Sequence, residues 1–128
     1  MSKGFYQLIL YKDKESKIKI GKKGDANFPE GYYIYTGSAL NGLEGRIKRH
    51  LRKHKKKFWH IDYLLPYCKI LKVVLYAQAK KKIKSECELN KRLLQKIGAE
   101  IVMKGFGSED CKCPAHLIYF GKSLKSIG

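Results

Sequence analysis

The sequence predicts one small domain of mixed α/β class: a three-stranded antiparallel meander leading into a helix, then further helical and strand segments toward the C-terminus. Three observations carry this. A two-residue alternation marks two strands over 4–11 and 17–22, and a run of aromatic and β-branched residues marks a third over 32–37. Two later segments, 43–54 and 80–97, space their apolar residues at the period of a helix. A chain of 128 residues can bury one real core, and no repeat, low-complexity block or linker divides it. The domain therefore spans 1–128, with its core over 3–121 and a basic tail over 122–128.

The first strand runs from Gly4 to Tyr11, with Tyr6, Leu8 and Leu10 on one face and Phe5, Gln7, Ile9 and Tyr11 on the other. Asp13 to Ser16 turn the chain, and Lys17 to Lys22 return as a half-exposed second strand. Breakers from Gly24 to Gly31 mark a loop. Tyr32 to Gly37 form the third strand, so the N-terminal half reads as an antiparallel meander leading into a helix. That helix covers about Leu43 to His54, with Leu43, Ile47 and Leu51 as its buried stripe. Phe58 to Leu65 is the most hydrophobic short stretch and reads as a brief helix ending before Pro66. Cys68 to Ala77 is a fourth strand, apolar enough to lie inside the sheet. Lys80 to Ile97 is the second long helix, closed by Gly98. Glu100 to Met103 reads as a short strand, 105–116 as a polar loop, and His116 to Phe120 as a last edge strand.

Charge sets the class of partner. Lys plus Arg number 28 against 11 Asp plus Glu, a formal net charge of +17. A field of that sign draws polyanions, nucleic acid first among them. The alternative is a solvated lysine-rich surface of the heat-adapted kind. The aromatic content favours nucleic acid, and no strongly apolar helical face favours a membrane surface. No signal peptide and no apolar run of membrane-spanning length is visible, which predicts a cytoplasmic protein. The four cysteines are then reduced thiols or ligands rather than a disulfide framework.

The candidate chemistry gathers around 31–50. A tyrosine-rich strand, a turn at Gly37 and Gly42 and a basic helix bring phenols, a guanidinium and an imidazole together. On that helix Arg46 and His50 flank the buried stripe one turn apart, while Lys48, Arg49 and Arg52 lie off it. Arg46 thus points toward a site beside the sheet, or else is one more surface cation. With it, Lys48, Arg49, Arg52 and Lys53 are the candidate nucleic-acid contacts. On the later helix, Ile83, Asn90, Leu93, Leu94 and Ile97 form a stripe with Glu86 in its middle, and Glu88 falls opposite with Lys84 and Arg92. A carboxylate in an apolar stripe needs a partner, a hydrogen bond or a metal, so Glu86 is the acid to suspect. A buried salt bridge explains it equally well. His60 and Asp62 read either as a hydrogen-bonded pair or as a cap and a satisfied imidazole, and the structural reading is preferred. Cys111, Cys113 and His116 have the ligand types for zinc with Cys68 or Cys87. Their Cys-x-Cys-x-x-His spacing departs from the usual zinc pattern, so zinc is the lesser expectation.

Taken in order, these residues resemble the GIY-YIG nuclease superfamily. Gly4-Phe5-Tyr6 stands at its first tripeptide and Tyr35-Thr36-Gly37 at its second. Arg46 with His50 matches its Arg-x-x-x-His, and Glu86 its later glutamate. The stretches Gly31–Ala39, Trp59–Leu64, Glu86–Leu89, Phe106–Ser108, Asp110–Cys113 and His116-Leu117 are similar to a largely archaeal branch, whose members are sometimes fused to endonuclease III-type DNA glycosylases. The resemblance extends from Gly4 to about Phe120.

That resemblance implies a small α/β domain with a central three-stranded antiparallel sheet flanked by helices, and a DNA endonuclease using one divalent ion, Mg²⁺ or Mn²⁺, with a connection to DNA repair and a repair partner. Glu86 would hold the metal, Tyr6 would position the attacking water, and Tyr35 would hydrogen-bond within the site. Arg46 would bind the scissile phosphate, with His50 as proton carrier. The chain departs from the pattern at Phe5 and Thr36, where the family has Ile. For the family's late asparagine it offers Asn90, off position, or Ser108 or Asp110. His60, Asp62, Asp110, Cys111, Cys113 and His116 are additions that either build a second metal site or brace the core. Two other functions stand beside cleavage: a nucleic-acid-binding module that does not cut, and a zinc-binding structural or adaptor protein.

Overall fold

The computed structural model describes residues 4–39, 60–77, 95, 99–106 and 115–122. Its main sheet has four antiparallel strands: β1 (Gly4–Lys12), β4 (Gly31–Ala39), β5 (Lys69–Ala77) and β6 (Leu117–Tyr119), in the order β5-β1-β4-β6. Two shorter strands, β2 (Ser16–Lys19) and β3 (Asp25–Phe28), pair only with each other as a separate hairpin. A short helix, α1 (His60–Leu64), runs into a 3-10 turn over Leu65–Tyr67.

The alternation read in β1 governs the core. Tyr6, Leu8 and Leu10 are buried on the inner face, against Tyr33 and Tyr35 of β4 and Leu117 and Tyr119 of β6. Ile61, Leu64 and Leu65 of α1 and the turn close this layer, with Ile18, Ile20 and Phe28 from the hairpin. On the opposite face Ile34, Ile118 and Phe120 form a smaller cluster with Ile9 and Ala99. Gln7 and Thr36 face each other there, both buried, and the Gln7 amide donates to the Thr36 hydroxyl at 3.3 Å. A buried polar pair that satisfies itself costs little, which accounts for threonine at this position.

Several expectations are corrected. The N-terminal strands are not a meander: β1 skips β2 and pairs with β4 along its full length and with β5 on its other side. Both β1 and β4 are nine residues long and offer matching inward rows, whereas β2 has only four residues. The stretch read as a loop before Gly31 contains β3, whose Phe28 is fully buried. Among the described strands the apolar fourth, β5, lies at the sheet edge rather than inside it, with Leu71 and Leu75 exposed. Leu71 sits where the register between β1 and β5 slips at Ile9 and Leu10. Glu100 makes one bridge to Tyr119, so 100–103 is not a strand. The helices expected over 43–54 and 80–97 lie outside the described residues.

Gly31 shows why the entry to β4 needs glycine. Its φ is +140°, and a Cβ there would run into the backbone carbonyl of Gly121. That carbonyl accepts a 2.9 Å hydrogen bond from the Tyr32 N–H, locking the turn after β6 onto the start of β4.

Candidate functional site

The two tripeptides meet because β1 and β4 pair in a register that sets Tyr6 opposite Gly37 and Leu8 opposite Tyr35. With no side chain at Gly37, the Tyr6 ring lies directly over it: a Cβ would stand 2.5 Å from the ring's Cζ and Oη. Tyr35 projects from the same face, its ring centroid 6.4 Å from that of Tyr6 and tilted by 51°. Both phenols are buried, Tyr6 to 1% exposure and Tyr35 to 7%.

Phe106, which the sequence marked only as the start of a matching stretch and gave no role, is the hub beside this pair. Its ring meets Tyr35 edge-on at 6.3 Å, Phe28 at 6.2 Å and His60 at 5.6 Å. Its backbone carbonyl accepts from the His116 N–H at 2.8 Å, and the His116 carbonyl in turn accepts from the Thr36 N–H at 3.0 Å. His60 and His116 therefore border the tyrosine site through Phe106. Asp62, in the first turn of α1, is buried to 1% exposure. Burial lowers the pKa of the His116 imidazole, which favours its neutral form. The signal that could have found Phe106 is a lone aromatic between two glycines, Gly105 and Gly107, ahead of a polar loop.

The other tyrosines of this face are held as scaffold. The Tyr33 hydroxyl donates to the Pro29 carbonyl at 2.6 Å and that of Tyr119 to the Glu30 carbonyl at 2.5 Å. Burial raises both phenol pKa values, that of Tyr33 the further. A second feature absent from the sequence reading is Lys12, which continues the inward row of β1 and is 1% exposed. Its ammonium donates to the Lys14 carbonyl and, at 2.7 Å, to Ser16 Oγ, and it stands 5.8 Å from the centroid of the Tyr67 ring. Burial lowers its pKa, and burial pushes the nearby Cys68 thiol up to about 12, so Cys68 stays protonated.

Of the residues expected in the site, Tyr6, Tyr35, His60, Asp62 and His116 are thus placed. Arg46, Lys48, Arg49, His50, Arg52, Lys53, Glu86, Asp110, Cys111 and Cys113 lie outside the described residues. Among the described residues no group of three or more His, Cys, Asp or Glu side chains could hold a metal ion. No helix among them is long and apolar enough to cross a membrane.

Fold and site together define a mixed α/β domain whose antiparallel sheet carries paired buried tyrosines on one face. The chain belongs to the family described as domain of unknown function DUF123, whose model matches residues 5–127. No curated protein and no solved structure matches the chain.

Proposed function

We propose that this protein is a nuclease of the GIY-YIG type that hydrolyses DNA phosphodiester bonds, with a role in DNA repair. The observation that supports the reading best is the seating of Tyr6 over Gly37 beside Tyr35, a geometry that gives the two tripeptides one shared purpose. In this reading Tyr6 holds the attacking water through its hydroxyl, and Tyr35 orients Tyr6 and the phosphate by hydrogen bonding. Arg46 binds the scissile phosphate, and His50 passes a proton to the leaving oxygen as the old P–O bond breaks. Glu86 would hold a magnesium or manganese ion, which would supply charge stabilisation for the phosphate. A net charge of +17 brings the polyanion to the site.

The test compares wild type, Glu86→Ala and Tyr6→Phe on single-stranded, nicked, flap and branched DNA with Mg²⁺ or Mn²⁺. Cleavage by wild type is expected to vanish in Glu86→Ala and to fall about 10²-fold in Tyr6→Phe, the loss of one proton-handling group. Cleavage that persists in both variants refutes the assignment of the site. The near-complete burial of Tyr6 favours a second reading, a module that binds nucleic acid without cutting. Salt-sensitive binding by wild type and Glu86→Ala alike, with no cleavage by either, establishes that reading instead.

A further inference from the structure

A groove of about 720 Å³ lies away from the tyrosine pair, between the β2–β3 hairpin and the segment that carries α1 and its 3-10 turn. It is lined by Ile18, Lys19, Gly21, Lys22 and Gly24 on the hairpin side and by Tyr63 and Tyr67 on the other. Its volume falls within the range of about 300–1,000 Å³ common to ligand sites. Lys19 and Lys22 are exposed, and Tyr67 keeps half its surface in solvent. From Ser16 to Phe28 the hairpin carries four lysines and a single acid, Asp25, which stands 4.0 Å from Lys17.

The aromatic side of the groove is pre-set. Tyr67 follows Pro66 in a turn closed by a 3.0 Å hydrogen bond from the Cys68 N–H to the Leu65 carbonyl, and the Lys12 ammonium stands over its ring. The Tyr63 ring packs against Gly21, where a Cβ would come within 3.0 Å of its hydroxyl. A half-exposed ring held in place, with the exposed Lys19 and Lys22 on the facing wall, matches the needs of an unpaired base and its two phosphates. Bases inside a duplex have both faces covered by their neighbours and cannot use such a ring.

We infer that this groove takes single-stranded nucleic acid, one unpaired base lying on Tyr67 and the flanking phosphates on Lys19 and Lys22. The inference rests on nucleic acid being the partner, and it adds that the partner presents a single-stranded segment away from the tyrosine pair.

The test is equilibrium binding of the full chain to a labelled oligothymidylate of about 12 nucleotides, a length typical of single-strand sites, and to a duplex of equal length, with EDTA present. Tyr67→Ala is expected to weaken single-strand binding by about 5- to 100-fold, the loss of one stacked base. Duplex binding should be unchanged, and Tyr67→Phe should bind the single strand like wild type. Replacing Lys19 and Lys22 together by Gln should flatten the salt dependence of single-strand binding by about 1.4 in the log–log slope, two phosphates' worth. Unaltered single-strand binding by Tyr67→Ala, or equal weakening on the duplex, overturns the groove while leaving nucleic-acid binding intact. Wild type that binds neither DNA overturns this inference, while the cleavage assay on branched and nicked DNA with metal decides the proposed function separately. Melting curves of the variants matched to wild type keep either result from being a folding defect.

Discussion

Gly37→Ala is the substitution that the geometry of the tyrosine site constrains most tightly. A methyl carbon at 37 would stand 2.5 Å from Tyr6 Cζ, 2.5 Å from its Oη and 2.9 Å from its Cε1. Ordinary carbon contacts lie at about 3.5–4.0 Å, so the ring must retreat by about 1 Å. Tyr6 is 1% exposed and packed in the main core, so it cannot retreat without moving its neighbours. Overpacking of this kind costs about 1–3 kcal/mol. Alanine stiffens the unfolded chain and returns about 0.4–1 kcal/mol, which leaves a net loss of about 1–2 kcal/mol. In a domain of this size that lowers the melting temperature by about 3–10 °C. The displaced hydroxyl should also cut any cleavage rate by about 10²-fold, as misplacements of an ångström do. The assay is thermal melting in two backgrounds, wild type and Tyr6→Leu. In the second background the methyl has room, and Gly37→Ala should be neutral or stabilising, a coupling of about 1 kcal/mol or more. A variant that melts at or above wild type, with the same effect in both backgrounds, refutes the account of why glycine stands opposite Tyr6.

Two further perturbations probe buried titratable groups. Lys12→Met keeps the apolar stem and removes a charge whose pKa burial lowers, so it should be at least as stable as wild type at pH 7. Because the folded state favours the neutral amine, wild type gains on this variant as pH rises toward 10.5, and the two melting curves should converge. Lys12→Ala, which deletes the buried stem, should instead cost about 2 kcal/mol. Denaturant titrations of the three proteins between pH 7 and 10 check this, and a Lys12→Met variant that loses as much as Lys12→Ala contradicts it. For His116 the folded pKa is lowered, so its contribution is present above the unfolded value of about 6.5 and is lost as pH falls below it. In EDTA-treated protein, melting temperatures should decline from pH 6.5 downward, and His116→Gln should flatten that decline. An equally steep decline in His116→Gln places the acid sensitivity elsewhere.

The parts of the fold legible in the sequence are those where a side chain's neighbours along the chain decide its burial. The alternation of Tyr6, Leu8 and Leu10 in β1 marked the inner face, and Pro66 marked where α1 must end. What was not legible depended on partners far away in sequence. Nothing local to 16–19 shows that β1 will bypass it for 31–39, because the choice rests on which longer row matches the rows of Leu8 and Leu10. Nor does an apolar run announce whether it is an inner strand or an edge, and among the described strands β5 is an edge with Leu75 exposed. Lys12 shows the same limit from the other side. Its place in the alternating row was visible, but lysine is so seldom buried that only Ser16 Oγ and the Lys14 carbonyl explain why it is here.

The same reasoning bears on the two constellations that the sequence kept apart, the tyrosines of the tripeptides and the histidines at 60 and 116. They are separated by up to 110 residues of chain, yet the Phe106 ring makes edge-type contacts with both Tyr35 and His60, while His116 bridges Phe106 to Thr36 through backbone hydrogen bonds. Thr36 lies between Tyr35 and Gly37, so the position of the second tripeptide is set from both sides: by β1 through its ladder and by His116 through its carbonyl. In a close-packed interior a shift at one such contact is passed on rather than absorbed. His60 and His116 are therefore placed to act on Tyr35 through Phe106, the one by its ring and the other by its backbone.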